Sequence, residues 1–85
     1  MNNKLEIFKK KLIYRASYRG TKEMDMLLSN FVNKYINLWN ESYLKELEEF
    51  LNYEDEVILN YYQDNIKKNG IEKNKISEIF KNFKI

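Results

Sequence analysis

No proline interrupts this chain and only two glycines do, while apolar residues recur at three- and four-residue spacing along almost all of it. That spacing follows the 3.6-residue turn of an α-helix and gathers the apolar side chains on one stripe. The chain therefore reads as all-α, a compact single domain over residues 1–85 built from about five short helices. Leu5, Phe8 and Leu12 mark one face of a first helix, over about 3–17. Met24, Leu27, Leu28, Phe31 and Tyr35 form the clearest stripe and predict a second, over about 21–37.

Asn40 stands as the N-cap of a third helix, with Trp39 and Leu44 in the positions of a hydrophobic staple. Leu44, Leu47 and Leu51 are its apolar face, and it is expected to end near Asn52. The acidic run Glu54, Asp55, Glu56 suits the first turn of a fourth helix, where negative charge meets the positive end of the helix dipole. Ile58, Tyr61, Tyr62 and Ile66 follow on one broad face, and Lys67, Lys68, Asn69 and Gly70 read as its stop signal. A fifth helix, over about 72–83, carries Ile76, Ile79, Phe80 and Phe83 as a lid on the core. The same core is the expected place of Phe8, Phe31, Tyr35, Tyr61 and Phe80.

Composition narrows the function. The chain has 85 residues, no cysteine and no histidine. Disulfides, thiol nucleophiles and thiolate metal sites are excluded, and so are the usual general base and the commonest metal ligand. A catalytic site of its own would have to rest on carboxylates, lysine or tyrosine, so an enzyme is not expected. The net charge of +2 gives no electrostatic case for nucleic acid. No apolar run approaches the ~20 residues of a membrane span, and no direct membrane insertion is expected. The start, MNNKLEIFKKKLIYR, has the amphipathic basic look of a transit peptide. It carries Glu6 and runs straight into the segment described next, so no disposable leader is expected.

Residues Lys11 to Phe31 hold both arginines of the chain, Arg15 and Arg19; every other basic residue is lysine. They also hold Gly20 and the acids Glu23 and Asp25. Arginine offers a planar fork of donors that lysine lacks, so its confinement to this segment points to a specific task. Gly20 lies between the first two apolar stripes, where a helix-to-helix turn calls for left-handed or closely approached backbone. Glu23 and Asp25 fall in the first turn of the second helix and suit its dipole. Lys22 and Glu23 are expected to face away from the core. Arg15 and Arg19, four apart, share a face if the first helix persists that far. The expected result is a charge-patterned docking corner.

The run Leu-x-Tyr-Arg-Ala-x-x-Arg-Gly-x-x-Glu-x-Asp-x-Leu-Leu-x-x-Phe, Leu12 to Phe31, resembles the signature of the succinate dehydrogenase assembly factor 2 family. These are small bacterial and mitochondrial flavinylation factors built around an Arg-Gly-x-x-Glu motif, here Arg19-Gly20-Thr21-Lys22-Glu23. A second stretch is also similar: Phe50-Leu51, an acidic segment, then Ile58-Leu59-x-Tyr61. Tyr18 stands where many members carry a basic residue, Glu56 where proline is usual and Tyr61 where tryptophan is usual. The resemblance implies an assembly chaperone. It would bind the flavoprotein subunit of succinate dehydrogenase, and in bacteria sometimes fumarate reductase. It would promote covalent attachment of FAD to a histidine of that client. By position, Arg19, Gly20 and Glu23 would form the centre of the client contact, with Arg15, Asp25 and Tyr18 flanking it. The FAD would belong to the client, and no cofactor or metal of the chain's own is implied. The expected location is the bacterial cytoplasm, or the mitochondrial matrix for a mature imported form, and the free protein is expected to be a monomer.

Other features have plainer readings. Lys9-Lys10-Lys11 reads as a solvated helix face, and Asn40-Glu41-Ser42 as a helix cap although it matches a glycosylation sequon. Tyr14 and Tyr18 lie close enough to the motif to serve as interface anchors. The alternative function is a small helical adaptor or antitoxin-like module that uses the same corner on a different client.

Overall fold

The computed structural model describes residues 3–63, 71 and 74–84. Five helices follow in order: α1 Asn3–Ser17, α2 Lys22–Tyr35, α3 Glu41–Phe50, α4 Asp55–Gln63 and α5 Lys75–Lys81. There is no strand among the described residues. α1 packs along α2 and also touches α3, and α5 closes against α3 and α4.

Local chemistry sets the ends. α2 begins at Lys22 because the Thr21 hydroxyl, on extended backbone, accepts from the Met24 amide at 3.2 Å. Asn40 caps α3 in the same way, its side chain accepting from Tyr43 N at 3.1 Å. The fifth helix starts at Lys75, later than the apolar pattern suggests. Asn74 accepts from Ser77 N at 2.8 Å, and Ser77 Oγ accepts from Asn74 N at 2.9 Å, a reciprocal capping box. α5 ends at Lys81, so Phe83 lies beyond it yet stays buried. α4 starts at Asp55; Glu54 precedes it and its carbonyl accepts from Ile58 N. Ile66 and the stop signal Lys67–Gly70 lie outside the described residues.

The core is aromatic at its centre. Phe31 is fully buried and its ring meets those of Phe80 (4.9 Å), Phe83 (5.4 Å), Tyr35 (5.6 Å) and Trp39 (5.6 Å). Phe80 also contacts Phe50 at 5.1 Å and Tyr62 at 5.0 Å, so α5 covers the core as a lid. Leu12 and Ala16 from α1 and Ile58 from α4 complete the interior. Tyr61 hands its hydroxyl to the Ser77 carbonyl at 3.1 Å, which satisfies a polar group that would otherwise be costly to bury. Phe8 and Tyr35 are only partly buried. Lys10 and Lys11 are solvated as expected, whereas the Lys9 side chain is mostly covered and lies 3.8 Å from Glu6.

Candidate functional site

α1 runs out at Ser17, with one last helical bond from Tyr18 N to Tyr14 O. Gly20 then takes φ +132°, a conformation open to glycine and strained for any side chain. A Cβ there would meet only Asp55 Oδ2, at 3.8 Å, so conformation and not space demands glycine. Asp25 fixes the other side of the turn: one carboxylate oxygen accepts from the backbone amides of both Arg19 and Gly20. Two amides left over by the chain reversal are thereby satisfied from within α2.

Because α1 stops before Arg19, the two arginines do not form a stripe on one helix face. Both reach across to the connection between α3 and α4 instead. Arg15 donates to Asn52 Oδ1 at 2.6 Å. Arg19 donates from Nε to Asp55 Oδ1 at 2.7 Å, and from its two terminal nitrogens to the carbonyls of Leu51 and Tyr53, each at 2.6 Å. Its side chain is only 10 % exposed. This is the three-pronged use that distinguishes guanidinium from ammonium. Leu51 is the C-cap of α3 and Asp55 the first residue of α4. One cation thus neutralises the negative end of one helix dipole while its carboxylate partner faces the positive end of the next. No ion pair links Arg19 to Glu23; the acid it chooses is Asp55.

What the corner presents to solvent is different. Thr21, Lys22 and Glu23 are exposed, as are Tyr14 (65 %) and Tyr18 (69 %). The Tyr14 and Tyr18 rings lean on each other with centroids 4.6 Å apart. The Glu23 side chain has no hydrogen bond or ion pair among the described residues. Beside it, between the start of α2 and α4, lies a depression of about 310 Å³ lined by Thr21, Glu23, Met24, Asp55, Glu56 and Leu59. Among the described residues no group of His, Cys, Asp or Glu is arranged to hold a metal ion. No helix there is long and apolar enough to cross a membrane.

The six residues singled out from the sequence therefore divide. Arg19, Gly20 and Asp25 build the corner; Glu23 and Tyr18 project from it; Arg15 is half-buried and ties it to Asn52. Sequence reasoning assigned Asp55 to dipole compensation alone and missed its bond to Arg19. It also missed Asn52 and the carbonyls of Leu51 and Tyr53, whose part comes from the backbone and leaves no trace in residue type. One signal was present: the two stretches that carry the family resemblance are the two that Arg19 joins.

Comparison with known proteins bears on the same residues. The family model described as "Flavinator of succinate dehydrogenase" matches residues 10–84. The chain is 41% identical over 51 residues to succinate dehydrogenase assembly factor 2, mitochondrial, of Scheffersomyces stipitis, covering 60% of this chain and 34% of that protein. It is 38% identical over 66 residues to the protein of the same name from Saccharomyces cerevisiae, covering 78% of this chain and 41% of that one. A Danio rerio protein of that name is 40% identical over 48 residues, 56% of this chain and 30% of its own length. The matched part thus spans well under half of each of these relatives. No solved structure matches the chain.

Proposed function

The chain belongs to the family of flavinators of succinate dehydrogenase, and on that premise we propose that it is an assembly chaperone which binds the flavoprotein subunit of succinate dehydrogenase and promotes covalent attachment of FAD to it. The observation that carries the reading into the structure is the state of Glu23. Its side chain is exposed and has no partner among the described residues, on a corner that Thr21, Asp25 and the Arg19–Asp55 pair hold in shape. A carboxylate with no internal partner can meet a client without first giving up a bond of its own, and the fixed backbone beneath it sets where it is presented.

Within the proposed client contact, Arg19, Gly20 and Asp25 hold the shape, and Glu23 and Tyr18 touch the client, with Arg15 at the edge. The chain has no histidine or cysteine, so the residue that becomes linked to flavin belongs to the client. The chaperone contributes position. Docking holds the client's FAD-bearing region so that its histidine and the flavin meet in reactive geometry, a rate effect that needs no acid or base from the chaperone. In this reading the chain is not an enzyme, takes no cofactor of its own, is a monomer when free, binds no nucleic acid and does not insert into a membrane. The relatives are named mitochondrial; for this chain the proposed location is the bacterial cytoplasm, or the matrix for an imported form.

Flavin fluorescence of the client subunit after denaturing electrophoresis tests the proposal. Covalent flavin should be lost without the chaperone and restored by wild type. Glu23→Gln should fail to restore it while keeping wild-type helicity. Undiminished flavinylation with Glu23→Gln, or without the chaperone at all, rejects the assignment. Pull-down that recovers a different client and never the flavoprotein subunit would instead favour the adaptor reading.

A further inference from the structure

The depression beside Glu23 is more specific than a charged corner. It is lined by the buried Met24 and the partly buried Leu59, which make an apolar floor, and by the exposed Glu23 and Glu56, whose exposure puts them at its rim. Both glutamates are exposed, and neither side chain has a hydrogen bond or ion pair among the described residues. The third acid of the lining, Asp55, is already committed to Arg19. α2 supplies one wall and α4 the other, and the Arg19 clamp fixes the start of α4 against the turn that begins α2.

The chemistry of this lining selects its occupant. An anion would be repelled by the rim. An apolar side chain would cover Met24 and Leu59 but strip water from two carboxylates without replacing their hydrogen bonds, which is costly. A bare metal ion lacks a ligand set, because no group of three or more acidic, imidazole or thiol side chains among the described residues could hold one. A lysine or arginine side chain meets both demands: its methylene stem lies on the apolar floor and its cationic head reaches the carboxylates at the rim. A volume of about 310 Å³ is at the lower end of ligand sites and suits one long side chain.

We propose that this depression receives a lysine or arginine side chain of the protein partner, and that Glu56 joins Glu23 as a second carboxylate for its charged head. The inference rests on the proposed function for the partner's identity, the flavoprotein subunit, and adds to it the chemical class of the contact and a contact residue on α4. The pairing is charge-assisted, so it acts on specificity and on salt dependence as well as on affinity.

The test is titration of purified flavoprotein subunit with the full chain, wild type, Glu56→Gln and Glu56→Lys, at low and high salt. Circular dichroism and thermal unfolding are run on each variant. Glu56→Gln should weaken binding about tenfold at low salt and flatten the salt dependence, and Glu56→Lys should weaken it further. Both should keep wild-type helicity, since Glu56 is exposed. Wild-type affinity in both variants overturns the inference and leaves the proposed function standing. A loss confined to Glu56→Lys overturns it as well, because repulsion at a surface needs no bound cation. Failure of the wild type itself to bind the subunit overturns the proposed function and this inference with it.

Discussion

Arg19 and Glu23 sit four residues apart and have opposite fates. Arg19 is drawn inward because one side chain can satisfy a carboxylate and two carbonyls at a junction of two helix ends. Glu23 stays outside because α2's core-facing stripe is already occupied by Met24, Leu27, Leu28 and Phe31. Their substitutions should therefore separate. Arg19→Ala removes the cation bonded to Asp55 and the guanidinium donors to the Leu51 and Tyr53 carbonyls. It should cost about 3 kcal/mol in urea unfolding. Arg19→Lys should recover only part of that, because an ammonium cannot present three donors in the fork's geometry. Glu23→Gln should stay within about 0.5 kcal/mol of wild type while flavinylation fails. Gly20→Ala, forced to hold φ +132° with a side chain, should lose about 1–3 kcal/mol. Equal stability of wild type and Arg19→Ala would show that the clamp does not hold the corner. The identities of Arg19, Gly20 and Glu23 were legible in the sequence. Which of them faced in was not, because orientation depends on where α1 ends and on carbonyls 32 and 34 residues downstream.

At the scale of elements, the helices were legible and their ends less so. Apolar spacing locates α1 to α3 within a residue or two, and the start of α4, because each must bury one stripe. Ends depend on hydrogen bonds that spacing does not encode. α2 is shorter than its stripe implies since Thr21 serves as cap and Ile36 as C-cap. The start of α5 is set at Lys75 by the Asn74–Ser77 capping box. At seven residues α5 is far too short to hold as an isolated helix, so its order comes from the core it covers. Two expectations follow. Asn74→Ala should destabilise by about 1 kcal/mol, a fall of roughly 4–8 °C in Tm for a domain of this size. Phe80→Ala should cost about 3–5 kcal/mol and weaken the near-ultraviolet aromatic signal, since Phe80 joins Phe31, Phe50 and Tyr62. An unchanged melting curve for Phe80→Ala would mean that α5 is not part of the cooperative unit.

For the whole molecule, the controlling fact is size. A chain of 85 residues has a stability of roughly 4–13 kcal/mol at the usual value per residue. One core or clamp substitution therefore consumes a large share of it. Activity lost in such variants says little about docking unless unfolding is measured beside it, and the exposed Glu23 and Glu56 are the informative probes. What the sequence determined alone was the helical class, the core stripes, the absence of thiol and imidazole chemistry, and the corner that carries the family signature. These are local or compositional properties, set by spacing and residue type. The tertiary structure decided that both arginines turn to the α3–α4 connection, that Asp55 has a partner, and that Glu56 comes to lie across a depression from Glu23. Each of these joins segments about thirty-five residues apart. Their meeting is settled by how α1, α2 and α4 pack, and no residue type or spacing along the chain records that.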